Sequence, residues 1–340
     1  MNGELMAAEM AEQPAVLQRI AERFDDFGER VRAVAPERLA GVVFVARGSS
    51  DHAAVYGRYM IEMASGRPAG LAAPSLHTAY RAEVDYSGYL AVAVSQSGAT
   101  PEIVTVCRRL REAGARTVAV VNDVDSPLAD AVEAVLPLDA ALERAVPATK
   151  TVTGQLLAVA AVASALGPVP FTRAQLSRLP AEVAAVLDDP SPAQSLAQRW
   201  SGAARLFVVS RGLLFAAALE TALKIKETAS VLAEGMSSAD FRHGPIAAAD
   251  PDVPVLVVDG GGPVSADLRD LVGILAARGG PLAVCSAAGT ANLPLPADVP
   301  EALAVIPAVV RAQQVAHALA TARGFDPDAP AGLAKVTETH

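Results

Sequence analysis

The chain has little cysteine, little aromatic content and no excess of positive charge, and the first and last of these shortages each exclude a class of function. Only Cys107 and Cys285 occur in 340 residues, too few for a disulfide framework and without metal-ligand spacing, so two buried free thiols are expected. Of the five histidines, His52, His77, His317 and His340 show no ligand spacing either, and no metal is expected. Aspartate and glutamate outnumber lysine and arginine by 37 to 28, for a formal charge of -9. A phosphate backbone needs a basic face, so nucleic acid is excluded as a partner. Aromatic residues make up 4% of the chain. The apolar runs are short and broken by charge, glycine or proline, so no segment is expected to span a bilayer. The start, Met1-Asn2-Gly3-Glu4-Leu5, lacks a basic region followed by an apolar core, so it does not read as a secretion signal, and a cytoplasmic enzyme is expected.

What is abundant is small and apolar. Hydrophobic residues make up 52% of the chain, and the mean hydropathy is +0.32, far from the composition of a disordered chain. Apolar runs that end in small or polar residues and feed amphipathic stretches recur throughout. That pattern predicts an α/β protein with doubly wound parallel sheets flanked by helices. In the first half, strands are expected over Val42 to Ala46, Leu90 to Val94, Thr117 to Val121 and Ala134 to Leu138, with a helix over Thr151 to Leu166. In the second half, they are expected over Arg205 to Val209, Val255 to Val258, Pro281 to Cys285 and Leu303 to Ile306. The two halves read as one architecture used twice. The expected organisation is a helical arm over 1–34, a first domain over 35–166, a linker over 167–196, a second domain over 197–325 and a tail over 326–340.

The stretch Ser95-Gln96-Ser97-Gly98-Ala99-Thr100-Pro101-Glu102 follows a strand-like run and opens a helix. Hydroxyls of Ser95, Ser97 and Thr100 can donate to phosphate oxygens, Gly98 lets the backbone approach, and Pro101 suits the first helical position. A second turn of the same kind, Ala46-Arg47-Gly48-Ser49-Ser50, follows the first strand. The corresponding turn of the second half, Ser210-Arg211-Gly212, lacks the run of hydroxyls, so an anion is expected in the first half.

Proton chemistry is expected from the second half. Glu220, Lys224 and Glu227 stand at i, i+4 and i+7 and share one helical face. Such residues also form ordinary solvated pairs worth about 0.3 kcal/mol. Downstream, Phe241-Arg242-His243-Gly244-Pro245 puts a histidine in a turn, the residue suited to moving a proton near neutral pH.

With these motifs in this order, together with Met6-Ala7-Ala8-Glu9 in the arm, Ala148-Thr149-Lys150 and the tail Leu333-Ala334-Lys335, the chain resembles the sugar isomerase (SIS) domain family. It is most similar to the isomerase portion of the glutamine:fructose-6-phosphate aminotransferases, built from two tandem SIS domains. The resemblance implies that Ser95, Gln96, Ser97 and Thr100, with Ser49 helping, bind a sugar phosphate. It implies that Glu227 shuttles a proton between C1 and C2, with Glu220 and Lys224 in a supporting network. His243 would assist ring opening from the partner subunit of a homodimer, and Lys335 would be able to form a Schiff base with an open-chain ketose phosphate. No cofactor is implied.

Departures from the pattern narrow the reaction. Position 2 is Asn2, so the glutamine-hydrolysing half with its N-terminal cysteine is not expected here. A family Cys-Gly-Thr-Ser turn is Arg47-Gly48-Ser49-Ser50, a tail arginine is Ala331, and Asp240 and Arg242 replace glutamate and lysine. The expectation is deamination and isomerisation of glucosamine 6-phosphate to fructose 6-phosphate and ammonia. Alternatives are a fructosamine 6-phosphate deglycase, ammonia-dependent amination, another aldose/ketose phosphate isomerisation, or, from a different class, a non-catalytic sugar-phosphate sensor.

Overall fold

The computed structural model describes residues 2–335, so His340 lies outside the described residues. Three helices come first, α1 (Glu4–Ala11), α2 (Gln13–Glu22) and α3 (Phe24–Val34). The first sheet then assembles from β1 (Gly41–Val45), β2 (Ala69–Leu71), β3 (Tyr89–Ser95), β4 (Arg116–Val121) and β5 (Ala134–Pro137). Its helices are α4 (Ser49–Ser65), α5 (Pro74–Thr78), α6 (Pro101–Glu112), α7 (Pro127–Ala131) and α8 (Lys150–Leu166). All its neighbours pair in parallel, in the order β2-β1-β3-β4-β5. Strands buried on both faces need apolar residues at every position, which is why Val42 to Val45 and Leu90 to Val94 are continuous runs. Cys107 of α6 is buried in this core among Val43, Ala91 and Val106, and burial pushes its thiol up to about 12.

The chain continues through α9 (Arg173–Asp188) and α10 (Ser191–Trp200), so the polar stretch read as a linker is mostly helical. Thr172 starts α9 with a reciprocal cap, its hydroxyl accepting from the Gln175 N–H while the Gln175 side chain accepts from the Thr172 N–H. The second sheet has β6 (Arg205–Ser210), β7 (Leu232–Ser237), β8 (Val255–Asp259), β9 (Leu282–Ser286) and β10 (Leu293–Pro294). With it come α11 (Phe215–Ala229), α12 (Ser238–Arg242), α13 (Ser265–Arg278) and α14 (Glu301–Ala322). It is also parallel throughout, in the order β10-β9-β8-β6-β7.

The chain divides into two compact units, Val16–Glu143 with Lys150–Pro170 around the first sheet, and residues 2–15, Arg144–Thr149 and Phe171–Lys335 around the second. Two sequence expectations are corrected. Leu303 to Ile306 is not a strand but part of α14, because a short apolar run reads alike in a buried strand and in a helix that is apolar on all sides. The same 22-residue helix is long and apolar enough to cross a membrane by length and composition, contrary to the reading that no segment is. In the fold it is a core helix, with 89% of its apolar window buried, packed on α9, α10 and α11. It carries the buried Arg311, whose guanidinium donates to the carbonyls of Pro294, Val186 and Asp189.

Candidate functional site

In the first unit the chain order reverses between β1 and β3, which are adjacent in the sheet while the strands that follow lie on opposite sides. Loops at the carboxyl ends of such strands open a crevice where ligands of doubly wound sheets bind. Both hydroxyl-bearing turns lie there. Val45 pairs with Ala93, so the segments Ala46-Arg47-Gly48-Ser49 and Ser95 to Thr100 leave the sheet side by side.

The second of these turns is a cradle shaped by its own side chains. Ser95 is buried, and its hydroxyl accepts from the Gly98 N–H at 3.0 Å, while the Ser97 hydroxyl accepts from the Ala99 N–H at 3.2 Å. Each hydroxyl keeps its proton to donate. Thr100 caps α6 by position, without a side-chain cap hydrogen bond, and Pro101 follows at the first helical position. The N–H groups of the first turn and the helix dipole therefore favour an anion at this end. Ser49 opens α4, and the neighbouring Ser50 hydroxyl accepts from Gln155 of α8 at 3.0 Å.

Gly98 makes the cradle possible. It has φ +60°, and a Cβ there would lie 2.1 Å from the Ser126 hydroxyl oxygen that caps α7. Gly98→Ala is expected to lower stability by about 1–2 kcal/mol through backbone strain alone. Phosphate binding should weaken at least tenfold, read by thermal melting and calorimetric titration; unaltered binding would show that the loop's shape is irrelevant to the anion.

The second unit has an equivalent glycine-rich turn after β8, but its place is taken. Asp259 turns its carboxylate into that loop, accepting from the Gly261 N–H at 3.0 Å and from the Ser265 hydroxyl, while the Gly262 N–H donates to the Ser265 oxygen at 2.9 Å. Glu301 lies close by, its carboxyl raised by burial and by the charge of Asp259. A loop already filled by carboxylates repels phosphate.

What the second unit supplies is a buried ionic row on α11. Lys224 is 0% exposed and Glu220 1%, with Lys224 Nζ 3.5 Å from Glu220 Oε1 and in direct contact with Glu227 Oε2. Glu227 is 23% exposed and lines a cavity of about 460 Å³ with Asn2, Lys226, Asp326, Ala331 and Leu333 among others. The solvated-pair alternative is thereby excluded for Glu220 and Lys224, whose side chains are interior. At Gly235 of β7 an added Cβ would lie 2.8 Å from the Ala218 carbonyl and the Leu219 Cα. Only glycine lets the strand approach α11 that closely. A carboxylate anchored by a buried lysine and open to a cavity on one side can take up and return a proton.

His243 lies elsewhere. It follows α12, exposed to solvent, its N–H donating to the Asp240 carbonyl at 3.0 Å, and it is not among the residues lining the Glu227 cavity. Lys335 folds onto the chain at Ala145, its Nζ donating to that carbonyl at 2.7 Å, in the same unit as Glu227.

Two buried polar residues to which the sequence reading gave no role hold the Arg144–Thr149 segment. Glu9 of α1 is buried, and its carboxylate accepts from the N–H groups of Arg144 and Ala145. Gln313 of α14 donates to the Thr149 carbonyl at 3.2 Å. A signal for Glu9 existed: it sits between Met6 and Met10 at helical spacing, so a charged residue occurs on an apolar face.

A family model described as SIS domain matches residues 40–165 and 201–299, more than half of the chain. Among curated proteins, a glutamine:fructose-6-phosphate aminotransferase (isomerizing) of Thermus thermophilus is 32% identical over 97% of this chain and 58% of that protein. The protein of the same name from Methanothermobacter thermautotrophicus is 29% identical over 97% of this chain and 56% of its own length. The chain thus spans less than two thirds of these relatives. Among solved structures, a "putative phosphosugar isomerase" from Silicibacter pomeroyi superposes with a TM-score of 0.86 at 33% identity, over 96% of this chain and all of that one. Glucosamine-6-phosphate deaminase from Thermotoga maritima shares the fold, with a TM-score of 0.81 at 20% identity over 99% of this chain and 100% of its own. On the extent of the family match, and with two parallel sheets that each carry it, the chain belongs to the SIS domain family.

Proposed function

We propose that this protein is a sugar-phosphate deaminase and isomerase, converting glucosamine 6-phosphate to fructose 6-phosphate and ammonia. The observation that carries the proposal is the Glu220, Lys224, Glu227 row, buried on one side and open at Glu227 to a cavity. Ser95, Gln96, Ser97 and Thr100, with Ser49, hold the phosphate, and binding energy gained there aligns carbons remote from it. Glu227 takes the proton from C2 of the open-chain amino aldose and returns it to C1, while a proton passes from the amine nitrogen to O1, so that the C1 aldehyde becomes a hydroxymethyl group and the C2 amine an imine. Water adds to that imine and ammonia leaves. Lys224 fixes the Glu227 carboxylate through the cycle, and Glu220 balances the buried charge of Lys224. His243, which the Glu227 cavity of its own chain does not include, assists ring opening from the second copy of a homodimer. Lys335 reaches an open-chain ketose once its bond to the Ala145 carbonyl is released.

A second reading has an observation of its own. The cavity beside Glu227 measures about 460 Å³, and Ala331 and Pro330 leave one wall without a charged side chain. Room there suits a larger leaving amine, as in a fructosamine 6-phosphate. A panel of glucosamine 6-phosphate and fructosamine 6-phosphates, with coupled detection of ammonia or released amine, separates the two. Ammonia from glucosamine 6-phosphate supports the first reading. Sugar-phosphate binding without release of any amine would overturn both.

A further inference from the structure

Arg47 has no part in the scheme above, yet it stands at the mouth of the phosphate cradle. It follows β1 by two residues, and with Val45 paired to Ala93 it leaves the sheet beside Ser95. Its Nε and Nη2 each lie 2.9 Å from Oε2 of Glu102. Glu102 belongs to the first turn of α6, two residues beyond Thr100, and its side chain is only 8% exposed. The Arg47 side chain is 49% exposed.

Two consequences follow from that pairing. A buried carboxylate in the first turn of the cradle helix would repel a phosphate from the N–H groups meant for it, and Arg47 cancels that charge. The cradle residues Ser95, Gln96, Ser97 and Thr100 carry hydroxyls and an amide but no cation. An arginine tethered at one edge and solvated at the other is pre-organised to add a charge-assisted hydrogen bond to an incoming anion. The other ionisable groups of that turn are Asp51 and His52 of α4. The carboxyl of Asp51 is raised by burial, against the opposing charges of His52 and Arg47.

We propose that Arg47, held in place by Glu102, is a direct ligand of the substrate phosphate. The inference rests on the assignment of the cradle in the proposed function. The test is calorimetric titration of the whole protein with inorganic phosphate and with fructose 6-phosphate at low ionic strength, with thermal melting to confirm that each variant folds. Arg47→Met should weaken both ligands at least tenfold, and Arg47→Lys, which keeps a charge without the fork, should fall between. The double variant Arg47→Met with Glu102→Gln removes the repulsion as well as the cation. It should remain about tenfold weaker than wild type, because a ligand has been lost. Binding within twofold of wild type in Arg47→Met, or full recovery in the double variant, would overturn the inference and reduce Arg47 to a shield at most. Should Ser97→Ala and Gly98→Ala also leave phosphate binding unchanged, the cradle assignment itself fails, a result separate from the first.

Discussion

Replacing Glu227 by glutamine is expected to lower turnover of glucosamine 6-phosphate by about three orders of magnitude, while binding of fructose 6-phosphate changes by less than threefold. A positioned acid or base contributes typically about 10²–10⁴ in rate, and here one carboxylate would serve both halves of the proton transfer. Glutamine keeps the shape of the side chain, and its amide oxygen can still accept from Lys224. It cannot take the proton from C2. The proposed phosphate cradle, Ser95 to Thr100, belongs to the other compact unit, so ground-state affinity should survive the change. A steady-state assay for kcat, paired with calorimetric titration, reads the two effects separately. If turnover persists within tenfold of wild type, Glu227 is not the base. If affinity falls with turnover, the side chain was acting on binding.

Removing the lysine from the same row should act on the fold. Lys224→Met is expected to destabilise the protein by about 3–5 kcal/mol, because loss of one member of a buried pair leaves an uncompensated charge. Glu220, 1% exposed, would lose the compensating ammonium 3.5 Å away. The companion variant Lys224→Met with Glu220→Gln should recover a large part of the loss, since the amide carries no charge to desolvate. Guanidinium denaturation midpoints of the two variants against wild type test this. A single variant within about 1 kcal/mol of wild type would mean that water reaches the row. A double variant no better than the single would put the cost in lost packing of the lysine stem.

Much of this molecule was legible as a sequence because the physics that makes it is local. The central strands β1, β3, β4, β6 and β8 are buried on both faces and had to be unbroken apolar runs. The Ser95 turn was readable since hydroxyls, Gly98 at φ +60° and Pro101 at the first helical position are the chemistry of one short segment. Edge strands were harder. β2 has three residues, and β7, Leu-Ala-Glu-Gly-Met-Ser, lies at the sheet edge beside β6 and needs no apolar run, so it gave no strand signal. Leu303 to Ile306 failed in the opposite way. Its apolar character came from burial of α14 on all sides, which hides helical periodicity.

The candidate site divides along the same line. The sequence alone determined which residues could do the chemistry: hydroxyls at a helix start, and two carboxylates flanking a lysine on one helical face. Periodicity set that face, but whether it met water or protein was open, and a surface pair was the ordinary expectation. Only the tertiary structure decided it, because the fold takes Lys224 to full burial while leaving Glu227 at a cavity wall. Likewise, Arg47 was a cation in a turn until the fold placed Glu102 against it. Helical spacing and turn chemistry are properties of a few consecutive residues. Desolvation depends on what distant segments bring to cover them.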